Sequence, residues 1–248
     1  MPVTHLAALS VFNLFDRDQL ILMLLRLPCI LLAISVHESA HGWAAKRLGD
    51  PTAAEQGRIT LNPARHFNLL GTLCMLFFGF GWATPVPVNV SNFKKPKRDM
   101  ALSALAGPIS NLILMLFGLL LSRIAVLIML GCGALVAEGG ALWYGTGVNP
   151  TVVDTVLLFF TVFATLNASL AVFNLLPVPP LDGSRLLTAL LPLDRYYQLM
   201  RYERYITVAL MVLVFTGSFT GILSRVTGLM LDGGAWLIDL IPFLRIGG

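Results

Sequence analysis

Charged residues are scarce in this sequence, and cysteines are few. Only 12% of its 248 residues are Asp, Glu, Lys or Arg, about half of the fraction usual in a soluble domain. An ordinary soluble domain is therefore excluded. The net charge of +4 does not indicate nucleic-acid binding, because Lys and Arg cluster in loops between apolar segments. The three cysteines lie in apolar surroundings without C-x-x-C spacing, at Cys29, Cys74 and Cys132. This pattern excludes a disulfide framework or a thiolate metal site and predicts small core residues.

Apolar residues are abundant instead, at 56% of the chain, with a mean hydropathy of +0.80. Several apolar runs approach the roughly 20 residues that a helix needs to cross a bilayer. The sequence thus predicts an all-α polytopic membrane protein in contact with the lipid bilayer, with residues 1–248 forming a single domain. Residues 1–15 lack a basic segment and a small-residue cleavage site, so we expect no removable signal peptide.

One polar pattern, His37-Glu38-Ser39-Ala40-His41, ends the first long apolar run. Two histidines four residues apart project from the same face of a helix, so both can reach one zinc ion at about 2.0–2.1 Å. Glu38 lies beside them, where it suits the handling of a water molecule better than metal ligation. The alternative is that these polar side chains cap the end of a helix that is exposed to water. We favour the metal site, because ionisable residues within a membrane are costly and are functional by default.

The apolar runs predict about four transmembrane helices. Arg26 and Pro28 interrupt the first run, so we expect Arg26 to snorkel or face a polar cavity and Pro28 to kink the helix or begin a second one. The crossings are expected within residues 19–48, 100–130, 151–176 and 205–223. Interfacial helices are expected at the termini, over residues 2–15 and 228–245.

The remaining segments are predicted to be shorter. Basic loops flank residues 67–93 on both sides, so this segment is expected to enter and leave the membrane on the same side, as a re-entrant segment with an extended hairpin. A short strand is expected over residues 57–63, a loop over 131–150, a short helix over 184–191 and a charged cytoplasmic segment over 194–204.

The distribution of basic residues predicts the orientation in the cell membrane. One side would carry Lys46, Arg47, Arg58, Arg65, Lys94, Lys95, Lys97, Arg98, Arg185, Arg195, Arg201 and Arg204. The other side would carry only Arg17, Arg123, Arg225 and Arg245. The positive-inside rule then places the N-terminus outside and the histidine pair near the cytoplasmic face of a multi-pass protein.

A catalytic zinc site needs a third protein ligand, and Asp182 is the best candidate. It ends an apolar crossing at about the membrane depth of His41, since basic residues follow both closely. An ordinary turn before Gly183 would explain Asp182 equally well. Other acidic residues and histidines are expected in solvated loops or on the opposite side, namely Glu55, His66, Asp99, Glu138 and Asp154.

Four motifs occur together between residues 34 and 184. They are His37-Glu38-x-x-His41, Gly81-Trp82-Ala83-x-Pro85-Val86-Pro87-Val88-Asn89, Ala106-Gly107-Pro108-x-x-Asn111, and Asn174-Leu175-Leu176-Pro177-x-Pro179-Pro180-Leu181-Asp182-Gly183. In kind and order they resemble those of the site-2 protease family of intramembrane zinc metalloproteases. The chain resembles the compact branch that lacks a PDZ domain. It departs from the family at Ser184, where a second glycine is common.

The resemblance implies that His37, His41 and Asp182 hold one Zn²⁺ per chain and that Asn174 helps to hold the substrate or its reacting carbonyl near the metal. It implies an endopeptidase that cleaves peptide bonds within or near transmembrane segments of membrane-protein substrates, in regulated intramembrane proteolysis. Glu38 would then be the general base.

Two further groups are candidates for substrate contact. Asn111 could add a hydrogen bond to the reacting carbonyl, although helix packing would explain it at least as well. An extended segment could pair with an unwound substrate by strand addition, or merely line the site; it comprises Pro85, Val86, Pro87, Val88 and Asn89.

Two other functions compete with proteolysis. A zinc-binding membrane transporter also holds His and Asp in its helices, but usually near the midplane and often with internal repeats. A proteolytically inactive relative would not need the intact set of His37, Glu38, His41 and Asp182. A serine protease is disfavoured because no G-x-S-x-G pattern occurs.

Overall fold

The computed structural model describes residues 17–78, 82–138, 141–190 and 193–244. Within these ranges the helices are α1 Arg17–Leu48, α2 Thr52–Glu55, α3 Leu69–Phe78, α4 Pro96–Gly131, α5 Pro150–Asn174, α6 Asp182–Leu190, α7 Leu193–Arg201, α8 Glu203–Phe215 and α9 Thr220–Asp239. Strands β1 Leu135–Glu138 and β2 Ala141–Tyr144 form an antiparallel pair. Single 3₁₀ turns span Pro63–Arg65, Val90–Asn92 and Pro242–Leu244.

Three of these helices are long and apolar enough to cross a membrane. They are α1, α4 and α5, with 30, 36 and 25 residues in the candidate spans. A helix satisfies its own backbone hydrogen bonds, which is what a segment in hydrocarbon requires. These helices agree with the predicted all-α polytopic membrane protein.

Small residues let the three helices approach closely. α4 packs against both α1 and α5. Cys29 of α1 is buried against Val162 and Phe163 of α5, while Ala164 and Ala168 of α5 are buried against α4. Small side chains allow the close backbone approach that favours van der Waals packing between helices in a membrane. Cys29 is thus a core residue as expected, whereas Cys132 is exposed.

The N-terminal half corrects several expectations. α1 is one helix with Pro28 inside it, so Pro28 does not begin a second helix, and Arg26 is buried rather than snorkelling. α1 ends at Leu48 because Gly49 adopts a φ of +114°. The strand predicted over residues 57–63 is absent from this described segment, which forms turns instead. The loop predicted over 131–150 contains the β1–β2 hairpin.

The single crossing predicted over residues 205–223 is also wrong. Residues 216–219 form a turn between α8 and α9, and Gly217 has a φ of +72°. The helix that packs on α4 and α5 is α9, which runs parallel to α4: its Gly234 lies against Leu119, and Asp239 forms an ion pair with Arg123. The interfacial position of residues 228–245 remains a prediction, and residues 2–15 lie outside the described residues.

The close contact of α4 with α5 predicts a measurable cost for Gly118→Ala. A Cβ at Gly118 would lie 2.8 Å from Cδ1 of Phe163 and 3.2 Å from the backbone nitrogen of Ala164, so we expect a loss of about 1–3 kcal/mol of stability from overpacking. Thermal unfolding in detergent measures it. The matched control is Gly131→Ala on the same helix, where a Cβ meets nothing within 4 Å and helix propensity favours alanine by up to about 1 kcal/mol. Equal effects of the two substitutions would contradict this packing.

Candidate metal centre

Three potential metal ligands meet where α1, α4 and α6 converge. The Nε2 atoms of His37 and His41 lie 3.1 Å apart, and Oδ2 of Asp182 lies 3.1 Å from the first and 3.2 Å from the second. Both histidines are buried, and the Asp182 side chain is 19% exposed. The fold therefore brings together the three residues that the sequence marked as candidate ligands, across a separation of 145 residues.

The spacing of these atoms fits a zinc ion. With bonds of about 2.0–2.1 Å, tetrahedral ligand atoms lie roughly 3.3 Å from one another, and the observed separations are 3.1–3.2 Å. Cations with longer bonds need wider spacing. The geometry thus agrees with Zn²⁺ as the cofactor.

The other nitrogen of each ring makes a hydrogen bond that leaves Nε2 free for a metal. Nδ1 of His37 lies 2.5 Å from Oδ1 of Asn111, and Nδ1 of His41 lies 2.8 Å from the backbone oxygen of Ser103. Because these oxygens only accept, both Nδ1 atoms carry a proton, and in the neutral form of each ring the Nε2 lone pair faces the Asp182 carboxylate. Three converging lone pairs in a buried site repel one another unless a cation lies among them.

Gly107 explains why α4 can pass so close to the histidines. A Cβ at this position would lie 2.3 Å from Nε2 of His41 and 2.6 Å from Cε1 of His37. Real Cβ atoms do not approach other atoms so closely, so any side chain here would displace the ligands. The Gly107-Pro108 motif thus has a steric role at the site.

A second close approach positions Asp182 at the first residue of α6. A Cβ at Gly183 would lie 2.3 Å from the backbone oxygen of Leu176 and 2.4 Å from that of Leu175. Ser184 fits its position well, because its buried hydroxyl donates to the backbone oxygen of Leu181 at 2.7 Å. The departure from a second glycine therefore leaves the turn intact.

Glu38 lies next to the ligand group but is held by another contact. Its Oε2 accepts a hydrogen bond of 2.9 Å from the backbone N–H of Val86, and the residue is 9% exposed. Val86 belongs to the extended residues 82–89, which run past the C-terminal half of α1. A Cβ at Gly42 would lie only 3.1–3.2 Å from Ala53, Ile59 and Val86, so a glycine here allows the segment to lie close.

Asp50 fixes the other end of this extended segment. Its fully buried carboxylate accepts hydrogen bonds from the backbone N–H of Asn89 at 2.7 Å, from the amide of Asn92 at 2.8 Å and from the hydroxyl of Thr52 at 2.5 Å. Burial raises the pKa of Asp50, but these hydrogen bonds outweigh it and lower the pKa below its ordinary value. Two carboxylates, Glu38 and Asp50, thus hold residues 86–89 against α1.

The remaining candidate residues are more dispersed. Asn111 is fully buried, and both polar atoms of its amide are bonded within the protein. Asn174 donates to the backbone oxygen of Leu170 in its own helix at 3.0 Å. His66 and Asp99 were expected in solvent but are buried, because His66 donates to the oxygen of Thr60 and Asp99 accepts from the N–H of Lys95.

Some residues of the site were missed by sequence reasoning. Ser103 contributes only a backbone oxygen, which no side-chain pattern can reveal. Asp50 follows a helix-ending glycine and looks like an ordinary turn residue. Asn167, which accepts from Asn111 at 2.8 Å, had one signal available: it is a polar residue in the middle of an apolar crossing.

Comparison with known proteins agrees with this geometry. The profile of peptidase family M50 matches residues 26–218. A Bacillus subtilis (strain 168) protein named "Putative zinc metalloprotease YwhC" is 38% identical over 187 residues, covering 75% of this chain and 78% of that protein. "Putative zinc metalloprotease Rip2" of Mycobacterium tuberculosis H37Rv is 29% identical over 216 residues, covering 85% and 71% respectively. No solved structure gives a significant match.

The contact of Gly107 with both imidazoles predicts that Gly107→Ala weakens zinc binding at least tenfold, because the new methyl group would push the ligands apart. Competition with a chelator measures the affinity in detergent. Gly131→Ala, on the same helix and in open space, should leave the affinity unchanged. An unaltered affinity in Gly107→Ala would show that the ligands do not lie against this glycine.

The hydrogen bonds to Asp50 predict that its contribution to stability depends on pH. Since its pKa is lowered by folding, the contribution is present above the ordinary Asp pKa of about 3.9 and is lost as the pH falls through the folded value. Asp50→Asn should therefore cost about 1–3 kcal/mol at pH 7, and the difference from the wild type should shrink in acid. Thermal unfolding at several pH values tests this, with Glu55→Gln, an exposed carboxylate, as the control. A pH-independent difference would contradict the role of the charge.

Proposed function

We propose a specific activity for this chain, which belongs to peptidase family M50, the site-2 protease family, and is a membrane-associated zinc metallopeptidase. It is an intramembrane endopeptidase that hydrolyses peptide bonds within or near transmembrane segments of membrane proteins, in regulated intramembrane proteolysis. The observation that carries this proposal is the group of His37, His41 and Asp182, with Glu38 beside it, among helices long and apolar enough to cross a membrane.

In this proposal His37, His41 and Asp182 hold the zinc. When bound, Zn²⁺ supplies Lewis-acid chemistry, lowering the pKa of a water molecule to about 7 and polarising a carbonyl group. Glu38 takes the proton from the attacking water and passes it to the leaving amine. The N–H of Val86 keeps the Glu38 carboxylate in place for this transfer.

The extended residues 84–89 are proposed to pair with an unwound substrate segment. Most of their donors are already used, since Thr84 donates to the oxygen of His66, Val86 to Glu38 and Asn89 to Asp50. Pro85 and Pro87 have no N–H.

Among the carbonyl oxygens of this segment, those of Thr84 and Pro85 accept from Arg58, and that of Asn89 accepts from the N–H of Asn92. The carbonyl oxygens of Val86, Pro87 and Val88 remain for a substrate. Among the backbone N–H groups of residues 84–89, that of Val88 alone has no partner within the described part of the chain. The pairing that we propose is therefore one-sided, with the substrate donating more hydrogen bonds than it accepts. An unwound transmembrane helix suits this edge, because unwinding frees its N–H groups.

The two asparagine candidates are proposed to have different roles. Asn174 donates through Nδ2 to its own helix, so its Oδ1 is the atom available to accept an N–H of the substrate. Both polar atoms of the Asn111 amide are bonded within the protein, which assigns it to the orientation of His37 rather than to the substrate.

The orientation remains part of the proposal. His41 lies seven residues before the end of α1, and Asp182 follows the end of α5. Basic residues surround these ends, including Lys46, Arg47 and Arg185. The positive-inside rule then favours an N-terminus outside and an active site toward the cytoplasm, where water can reach it. We treat residues 1–248 as one catalytic domain.

The central test compares the wild type with Glu38→Gln, reconstituted with a single-span membrane protein as substrate. We expect one zinc per chain in both, since Glu38 is not a ligand. We expect cleavage to fall by about 10²–10⁴-fold in the variant, because the general base is lost.

Two measurements are needed, zinc content and the appearance of cleaved substrate, with the exposed Glu55→Gln as a control that retains full cleavage. Undiminished cleavage in Glu38→Gln would remove Glu38 from the mechanism. Zinc in both proteins without cleavage of any membrane substrate in either would favour the transporter or the inactive relative.

A further inference from the structure

We propose that Asn167 of α5 is a positioning residue for the zinc site. Acting through Asn111, it fixes the ring proton of His37 on Nδ1 and so keeps Nε2 available to the metal. This inference rests on the proposed role of His37 as a ligand and extends the site to a helix that supplies no ligand itself.

A continuous chain of hydrogen bonds links α5 to His37. Nδ2 of Asn167 donates to the backbone oxygen of Phe163 at 2.9 Å, and Nδ2 of Asn111 donates to Oδ1 of Asn167 at 2.8 Å. Oδ1 of Asn111 lies 2.5 Å from Nδ1 of His37. Both asparagines are 0% exposed, so bulk water does not compete for these bonds.

The direction of every bond follows from the backbone carbonyl at the end of the chain. A carbonyl oxygen only accepts, so Asn167 must turn Nδ2 toward Phe163 and Oδ1 toward Asn111. Asn111 must then turn Nδ2 toward Asn167 and Oδ1 toward His37. His37 must therefore donate through a protonated Nδ1, and a neutral imidazole protonated there has its lone pair on Nε2.

The two histidines differ in how this proton is fixed. Nδ1 of His41 faces the backbone oxygen of Ser103, which can only accept a hydrogen bond and cannot become a donor. Nδ1 of His37 faces a side-chain amide, which can rotate by 180° and present a donor instead. Without Asn167, the rotated amide of Asn111 would favour the proton on Nε2 of His37, where it blocks the metal. His37 therefore needs a second residue that His41 does not.

The alternative role for Asn167 is packing between α4 and α5. The two roles predict opposite rankings of variants. Asn167→Asp, with its buried carboxyl protonated, still donates to the oxygen of Phe163 and accepts from Nδ2 of Asn111, so it keeps that amide oriented. Asn167→Leu packs well in an apolar contact but leaves the amide free to rotate.

The experiment measures the zinc affinity of the full-length protein in lipid nanodiscs by competition with a chelator. We expect Asn167→Leu to weaken binding about 10–100-fold, the usual effect of losing a partner of a metal-bound histidine, and Asn167→Asp to stay within about threefold of the wild type. Thr161→Val is the matched control, because its hydroxyl also donates to a carbonyl four residues earlier in α5, that of Leu157. It should leave the affinity unchanged.

Asn167→Leu in an Asn111→Asp protein separates the two roles of Asn167, orientation of the Asn111 amide and packing between α4 and α5. In Asn111→Asp the carboxylate accepts from His37 in any rotation, so adding Asn167→Leu should no longer weaken zinc binding. The proposal is overturned if Asn167→Leu binds zinc like the wild type, if Asn167→Asp is the weaker of the two variants, or if Asn167→Leu causes the same loss in both backgrounds. A wild-type protein that binds no zinc would instead contradict the proposed function.

Discussion

The site depends on one electrostatic constraint. Three lone pairs face one another between the helices, and they repel one another unless a positive charge lies among them. Two imidazole nitrogens and a carboxylate oxygen lie within 3.1–3.2 Å of each other, and in a buried site that arrangement is favourable only with a positive charge among them, either a metal ion or a proton on an imidazole. Three features around the site allow this close approach. Gly107 lets α4 reach the imidazoles, Gly183 lets α6 begin under the end of α5, and the acceptors on α4 keep both ring protons away from the metal.

The helix that carries the histidines also holds the extended segment in place, through Glu38. Glu38 and Asp50 each accept a backbone N–H from residues 86–89, so the position of Glu38, the proposed general base, and that of the extended segment are coupled. A movement of this segment to admit a substrate would change the hydrogen bonding of Glu38. In the proposed mechanism, substrate binding and the orientation of Glu38 are therefore linked through one peptide N–H, that of Val86.

Local patterns in the sequence were sufficient for part of this account. The long apolar runs predicted α1, α4 and α5, and the spacing of His37 and His41 predicted that their side chains share one face of α1, because both depend on short-range periodicity. The contact of Asp182 joins residues far apart in sequence, and spacing alone left it equal to an ordinary turn. The sequence did not predict the hairpin of β1 and β2 or the break at Gly217, because neither region has a strong periodicity. The burial of His66 and Asp99 depends on hydrogen bonds to neighbouring backbone groups. The basic residues around them had suggested solvated loops instead.

The most direct test of the account is the location of the metal itself. Anomalous scattering at the zinc absorption edge, from crystals of the full-length protein, would place the ion without reference to activity. The account predicts one peak per chain, about 2.0–2.1 Å from Nε2 of His37, Nε2 of His41 and a carboxylate oxygen of Asp182. A zinc peak at any other group of residues, or a wild-type protein that holds no zinc between these three side chains, would contradict it.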